Sequence, residues 1–170
     1  MINTTSFRVD RAQRGVLKQT LVAAGFPAED LAGYVTGEPF PLGLRERPQF
    51  AVRDYQRQAA EAFHMAGSDR GGSGVVVLPC GAGKTTVGMA AMAMVGQTTL
   101  VLTTSLSAVE QWRRELLEKT TIHPEEIAEY TGGRKDSGPV TLTTYQILTW
   151  RAGRESEFPH LEVFRARSWG

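Results

Sequence analysis

An apolar run, a glycine-rich turn and a Lys-Thr pair follow one another within residues 75–86, and no other stretch constrains the fold as strongly. The run consists of three valines and a leucine, which predicts a β-strand buried on both faces. The residues after Thr85 are again apolar and predict a helix. A strand, a glycine-rich turn and a helix in this order form the context that a phosphate-binding loop requires.

The residue types within this turn suit the binding of phosphate. Gly81, Ala82 and Gly83 are small enough for the backbone amides to approach phosphate oxygens, and the start of the following helix favours an anion. Lys84 supplies a positive charge for the β- and γ-phosphates. The Thr85 hydroxyl is placed to ligate Mg²⁺. We therefore expect Lys84 and Thr85 to be the catalytic residues of this loop, with Thr85 as its metal ligand.

The loop departs from the general pattern G-x-x-x-x-G-K-[ST] at its first position, where the chain has Leu78. It retains only the shorter G-x-G-K-T core. This departure weakens the interpretation of a small-molecule kinase or a GTPase. A glycine-rich turn that binds nothing is the plain alternative.

Composition narrows the possibilities only slightly. The 170 residues are 41% hydrophobic and 22% charged, as in an ordinary soluble domain, and the formal net charge of +1 favours neither nucleic acid nor a membrane as partner. The one cysteine, Cys80, excludes a disulfide framework. We see no signal peptide, and the longest apolar run is too short to span a membrane. The sequence thus predicts a cytoplasmic protein without membrane contact.

The first part of the chain predicts two helices and a linker. Asp10 is suited to cap a helix whose apolar residues recur at helical spacing, namely Ala12, Val16, Leu17, Leu21 and Ala24. Prolines and glycines between residues 33 and 48 indicate a linker. We therefore divide the chain into an N-terminal helical segment with linker, residues 1–48, and a second domain, residues 49–170. A helix from about Arg53 is expected to bury Tyr55, Ala59, Ala62, Phe63 and Ala66.

The rest of the chain alternates between strand and helix patterns. Strands are predicted at 99–103, 127–130 and 140–144. A helix with a capping box at 107–110 should turn Val109, Trp112 and Leu116 inward, and further helices are predicted at 145–151 and 161–164. This alternation predicts an α/β domain with a mostly parallel sheet.

Four stretches together resemble one family in sequence order. They are R-D-Y-Q at 53–56, L-P-C-G-A-G-K-T at 78–85, T-T-S at 103–105 with E-Q-W at 110–112, and L-T-T-Y-Q at 142–146. The chain thereby resembles the first RecA-like lobe of XPB-type superfamily 2 DNA helicases over nearly its whole length. The resemblance implies an incomplete RecA-like P-loop domain that is preceded by a short helical segment.

The resemblance also implies cofactors, partners and site residues. ATP and Mg²⁺ are the implied cofactors, and the implied partners are DNA and the remainder of a helicase chain. Gln56 would read the adenine edge, since an amide donates and accepts at once. The implied nucleotide-binding residues are Arg53, Gln56, Pro79, Cys80, Gly81, Ala82, Gly83, Lys84, Thr85 and Thr86. The implied DNA contacts are Thr104, Ser105, Gly132, Arg134 and Thr144.

Hydrolysis requires a strand that ends in Asp, followed by a Glu or an equivalent residue, and the pair Asp-Glu occurs nowhere in the sequence. We expect the chain to stop before that strand, to hydrolyse ATP poorly and to expose an apolar sheet edge. The isolated chain should then be poorly soluble or partly molten. Two alternatives remain open: a catalytically inactive nucleotide- or DNA-binding remnant and, with less support, a P-loop phosphotransferase.

Overall fold

The computed structural model describes residues 6–28, 36–45, 47–48, 50–68, 71–153 and 156–170. The chain divides into two compact units, Met1–Gly33 and Tyr34–Gly170. In the first unit, a 3₁₀ turn at Arg11–Gln13 leads into helix α1, Arg14–Ala23. The Asp10 carboxylate accepts a hydrogen bond from the Ala12 amide at 2.8 Å, so it caps this helical start as expected. No residue of α1 is buried.

The second unit contains the alternating elements that the sequence predicts. Its elements are α2 (Asp54–His64), α3 (Lys84–Val95), β1 (Thr99–Thr103), α4 (Leu106–Lys119), β2 (Ile127–Tyr130), β3 (Val140–Thr144), α5 (Tyr145–Leu148) and α6 (Pro159–Arg165). The three strands predicted at 99–103, 127–130 and 140–144 lie at their predicted positions. The α/β class is therefore confirmed.

The three strands form one parallel sheet in the order β1-β3-β2. Every residue of the central strand β3 is buried. Burial on both faces explains why threonine is the only polar residue type in this strand. Thr103 of β1 lies opposite Thr144 of β3, and Tyr130 of β2 lies opposite Thr143. Because the strands are parallel, their carboxyl ends meet at one edge of the sheet. That edge is called the carboxyl edge below.

Helices cover both faces of the sheet. On one face, α3 and α4 pack on a core of buried apolar residues that comprises Leu42, Met89, Met92, Val101, Val109, Leu116, Ile122, Ile127, Val140 and Leu142. Trp112 packs against this core, as predicted. On the other face, Leu148 of α5 and Phe164 of α6 pack with Tyr130. Burial of both faces provides the main stabilisation of this unit.

The segment 36–45, which the sequence assigns to the linker, is part of the second unit. The amide of Phe40 donates to the Gly96 carbonyl, that of Arg45 donates to Lys119, and that of Thr121 donates to Gly43, each at 2.8 Å. These bonds connect the segment to the residues that follow α3 and to the end of α4. The boundary at residue 48 stays a prediction.

The prediction of a buried strand at residues 75–78 is wrong for this chain. The run is extended but unpaired, and Val75 and Val77 are 89% and 86% exposed. A strand requires neighbours that accept and donate its backbone hydrogen bonds. Within the described part of the chain, no strand pairs with this run. Among the residues of this run, only Leu78 packs against the small apolar cluster of Ala60, Val87 and Ala90.

Three helices also differ from their predictions: α4 in its capping residue, α2 in its buried face and α5 in its end. Helix α4 is capped by Ser105 and not by Ser107, because the Ser105 hydroxyl accepts the Ala108 amide at 3.2 Å. Helix α2 buries Gln56 and Ala60, whereas Tyr55 is 38% exposed. Apolar spacing predicted that the face with Tyr55 is buried. The Gln56 amide is buried instead, because its oxygen and nitrogen both have hydrogen-bond partners. Helix α5 ends at Leu148, three residues before its predicted end at residue 151.

Candidate functional site

The glycine-rich turn forms an open loop at the start of α3. The Ala82 amide donates to the Pro79 carbonyl at 3.3 Å, which closes the turn. Gly81 and Gly83 have φ angles of +77° and +78°, a backbone conformation that only glycine adopts without strain. A Cβ atom at Gly81 would meet no atom within 4 Å, so the space beside the loop is open. The first amides of α3 are therefore available to an anion beside the loop.

Lys84 is the first residue of α3, and its ammonium group folds back on the loop. Its Nζ donates to the Leu78 carbonyl at 2.6 Å and to the Pro79 carbonyl at 3.0 Å. The side chain is exposed, so the charge stays accessible to solvent. A bound phosphate would compete with these two carbonyls for the same ammonium group.

The start of α2 is tied to the loop through a single carbonyl. The Ala82 carbonyl accepts from the Gln56 amide at 2.9 Å and from the Tyr55 hydroxyl at 2.7 Å. The Gln56 oxygen accepts from the Arg53 amide at 3.0 Å, and the Arg53 guanidinium donates to the Tyr55 hydroxyl at 3.2 Å. These bonds bring Arg53 and Gln56 to the loop, as a nucleotide site requires. Sequence reasoning missed the role of Tyr55 because its spacing indicated a core residue.

The remaining loop residues differ in their exposure. Cys80 is an exposed free thiol, Thr85 is half-buried, and Thr86 is 4% exposed. A group of three or more His, Cys, Asp or Glu side chains that could hold a metal does not occur among the described residues. The one predicted metal ligand is the Thr85 hydroxyl, and Thr85 lies at the start of α3 beside the loop. That single ligand suits a Mg²⁺ ion that is held mainly by phosphate oxygens.

The second set of predicted site residues lies along the carboxyl edge. Thr104 and Ser105 follow β1, Thr144 ends β3, and Gly132 comes two residues after β2. Thr104 and Gly132 are exposed, whereas Thr144 is 7% exposed. The Gln146 amide of α5 donates to the Thr104 carbonyl at 2.8 Å and thereby joins the ends of β1 and β3. The edge thus presents backbone groups and hydroxyls side by side.

Arg134 stands at the end of a tight turn beside this edge. The Thr131 amide donates to the Arg134 carbonyl at 2.7 Å, and the Arg134 amide donates to the Thr131 hydroxyl at 3.3 Å. The Arg134 guanidinium lies 3.3 Å from the Glu129 carboxylate, and its side chain is 62% exposed. Arg113 lies 3.6 Å from the same carboxylate. Arg134 is therefore oriented by Glu129 but remains open to solvent.

A further cluster, which the sequence did not predict, joins β2 to α6. The Tyr130 hydroxyl and His160 Nδ1 are 2.9 Å apart, and their rings meet edge to face with centroids 5.6 Å apart. Burial, followed by the positive charge of Lys135, lowers the pKa of His160 below 6.5. Thirty residues separate the partners in the sequence. No local pattern could have indicated this contact.

A parallel sheet that is covered on both faces, together with a Gly-Lys-Thr loop at a helix start, defines a RecA-like P-loop domain. Residues 49–162 match the family model described as "Type III restriction enzyme, res subunit", and the chain belongs to this family.

Known relatives resemble nearly the whole chain. It is 52% identical over 162 residues to the protein named DNA 3'-5' helicase XPB of Mycobacterium tuberculosis and, at the same identity and length, to that of Kineococcus radiotolerans. It is 38% identical over 169 residues to the putative DNA 3'-5' helicase Rad25 of Halobacterium salinarum. These matches cover 95%, 95% and 99% of the chain but only 28%, 28% and 26% of the relatives. The XPB-type resemblance is thus confirmed, and the chain spans little more than a quarter of these relatives.

The structure also bears on a membrane location. Across the described ranges, no helix combines the length and the apolar character that a membrane crossing needs.

Proposed function

We propose that the chain contributes the phosphate-binding loop and part of the DNA track to an ATP-dependent DNA 3'-5' helicase of the XPB type. The observation that carries the proposal is the hydrogen-bonded connection of Arg53, Tyr55 and Gln56 to Ala82 of the Gly-Lys-Thr loop. The names of the relatives supply the class of reaction and the polarity.

Each loop residue has a defined task in this proposal. The amides from Gly81 to Thr86 hold the β- and γ-phosphates of ATP, and Lys84 exchanges its two carbonyl partners for phosphate oxygens. Gln56 keeps one amide hydrogen and one oxygen lone pair beyond its bonds to Ala82 and Arg53, and these read the adenine edge. The Thr85 hydroxyl would hold Mg²⁺, which would supply charge neutralisation to the phosphates of the nucleotide.

The carboxyl edge holds the DNA strand through its phosphates. Thr104 and Ser105 offer hydroxyl groups beside the largely buried Thr144, and Gly132 lies at an open position, where a Cβ atom would meet nothing within 4 Å. Arg134 adds an exposed positive charge beside them. Contacts of this kind carry no sequence information, which suits an enzyme that moves along DNA of any sequence. We also propose that the chain is located in the cytoplasm, together with the chromosomal DNA.

Isothermal titration of the chain with Mg·ATP tests the nucleotide part of the proposal. Lys84→Ala should weaken binding by about tenfold or more, since a hydrogen bond to a charged group contributes about 1.5–3 kcal/mol. Lys119→Ala is the matched control, because it removes the same charge from the far end of α4 and should leave the affinity unchanged. Equal affinities for the wild-type chain and Lys84→Ala would contradict the proposal.

Salt dependence tests the DNA part. Arg134→Ala should weaken binding to single-stranded DNA. It should also reduce the slope of log K against log salt by about the amount that one phosphate contact contributes. Arg165→Ala is the control, since its side chain is similarly exposed and also pairs with a glutamate. An unchanged slope in Arg134→Ala would show that Arg134 does not contact the DNA.

A catalytically inactive binding module remains the second candidate, because the sequence lacks an Asp-Glu pair. DNA-stimulated hydrolysis that Lys84→Ala abolishes would favour the helicase proposal over the module. Binding of ATP and DNA without measurable hydrolysis would favour the module.

A further inference from the structure

Two half-exposed aromatic side chains flank α5 at the carboxyl edge. Tyr145 begins the helix directly after Thr144 and is 51% exposed, and Trp150 lies just beyond its end and is 52% exposed. Single exposed aromatic residues are common on protein surfaces and need no explanation. The position of these two beside the proposed phosphate contacts is what distinguishes them.

Trp150 packs against His160 of α6. Its ring centroid lies 5.7 Å from that of His160, with the planes tilted by 54°. His160 in turn bonds to the hydroxyl of Tyr130, which is the last residue of β2. A chain of contacts therefore fixes Trp150 relative to the carboxyl edge, while about half of its surface stays open.

Positive charges surround the same contacts. The Lys135 ammonium lies 4.8 Å from the centroid of the Tyr130 ring and donates to the Thr131 carbonyl at 2.7 Å. Arg134, the preceding residue, is 62% exposed. Sites for single-stranded nucleic acid combine positive charges along the backbone path with aromatic rings on which bases stack.

We propose that Trp150, with Tyr145 beside Thr144, stacks on bases of a single strand whose phosphates lie along the carboxyl edge. The inference rests on the proposed function, since that function brings the strand to this edge. It adds base stacking to a track that otherwise contacts only phosphates. Tyr145 and Trp150 become binding residues that tolerate any base, because every base presents a π-face.

Tryptophan fluorescence makes the proposal directly testable. Trp112 and Trp169 are half-buried, with Trp112 against Gly88 of α3 and Trp169 bonded through Nε1 to the Phe164 carbonyl. Quenching by an added oligonucleotide therefore reports mainly on Trp150. The 170-residue chain is titrated at low salt with oligothymidylate, and separately with an abasic strand that carries the same number of phosphates.

Oligothymidylate should quench the fluorescence and bind about tenfold more tightly than the abasic strand. The variants are compared by the anisotropy of an end-labelled strand, because Trp150 is itself the fluorescent reporter. Replacing Trp150 and Tyr145 together by alanine should remove that preference, and Trp150→Phe, which keeps an aromatic face, should retain part of it. Phe26→Ala is the control, since Phe26 is an exposed aromatic residue of the N-terminal unit. Its binding should equal that of the wild-type chain.

The two strands also separate the possible failures. Equal affinity for both strands, unchanged in Trp150→Ala, would overturn the stacking proposal and leave the phosphate track intact. Failure of both strands to bind the wild-type chain would overturn the track and the stacking together. Retention of the preference for oligothymidylate in a folded double variant, with Trp150 and Tyr145 both replaced by alanine and folding confirmed by circular dichroism, would assign the stacking to other residues and contradict the proposal.

Discussion

The Gln56 side chain joins the start of α2 to the phosphate loop, and it does so while being 5% exposed. Its oxygen accepts the Arg53 amide and its nitrogen donates to the Ala82 carbonyl. A buried amide is tolerated only when such bonds are made. The sequence placed Gln56 near the nucleotide through the resemblance, but periodicity alone could not distinguish it from a surface glutamine.

Replacing Gln56 should therefore destabilise the domain. Gln56→Ala leaves the Arg53 amide and the Ala82 carbonyl without these partners, and we expect a loss of about 1–3 kcal/mol in the free energy of unfolding. Gln58→Ala on the same helix is the control, because Gln58 is exposed. Urea denaturation measures both variants. Equal stabilities would mean that the bonds from Gln56 are not formed in solution.

His160 gives the chain a stability that depends on pH. Burial and the charge of Lys135 lower its pKa below 6.5, so the folded state favours the neutral imidazole. When the pH falls below about 6.5, the unfolded chain takes up a proton that the folded chain does not, and stability decreases until the folded-state pKa is reached. Above about pH 6.5 this contribution is fully present.

The melting temperature should accordingly fall as the pH is lowered through this range. His160→Gln cannot titrate, so its melting temperature should change less with pH than that of the wild-type chain. Thermal melts at several pH values between about 5 and 8 measure the difference. Parallel curves for the two proteins would show that His160 titrates normally.

At the scale of elements, the start of α4 shows where sequence patterns reach their limit. Ser105 and Ser107 are both suited to cap the helix, and the capping-box pattern favoured Ser107. In the structure, Ser105 has the extended backbone conformation of a cap, with φ −155° and ψ 160°, and its hydroxyl accepts the Ala108 amide. The choice depends on where β1 ends, which a local pattern does not specify.

Alanine substitutions separate the two serines. Ser105→Ala should cost about 1 kcal/mol of unfolding free energy, the usual value for a lost cap. Ser107→Ala should cost much less, because Ser107 is exposed and its hydroxyl is hydrogen-bonded to that of Ser105, at 3.0 Å, and not to a backbone amide of the first turn. Chemical denaturation of both variants provides the comparison. A larger loss of unfolding free energy in Ser107→Ala than in Ser105→Ala would show that Ser107 caps the helix, as the sequence predicted.

At the scale of the whole molecule, the sheet was largely predictable and the phosphate-loop strand was not. The runs at 99–103, 127–130 and 140–144 form strands that pair with one another inside this chain. The run at 75–78 has the same apolar character, but no described strand pairs with it, and its valines face solvent. Strand propensity is local, whereas a strand also needs partners elsewhere in the chain.

An exposed run of valines should promote self-association of the isolated chain. Replacing Val75 and Val77 together by lysine should raise its solubility without lowering its melting temperature, because both side chains are exposed. Val101→Lys, at a buried position of β1, should abolish the cooperative melt. Light scattering and thermal melts measure these effects. Loss of folding in the double variant would show that the run is buried in solution.

We propose that the loop from Pro79 to Thr86 binds the phosphates of ATP. The most direct measurement is the change in backbone amide chemical shifts of the ¹⁵N-labelled chain on titration with Mg·ATP. We predict shifts concentrated at the amides of Gly81 to Thr86 and at the Gln56 side-chain amide, and their loss in Lys84→Ala. Shifts that are absent from this loop, or that persist unchanged in Lys84→Ala, would contradict the claim.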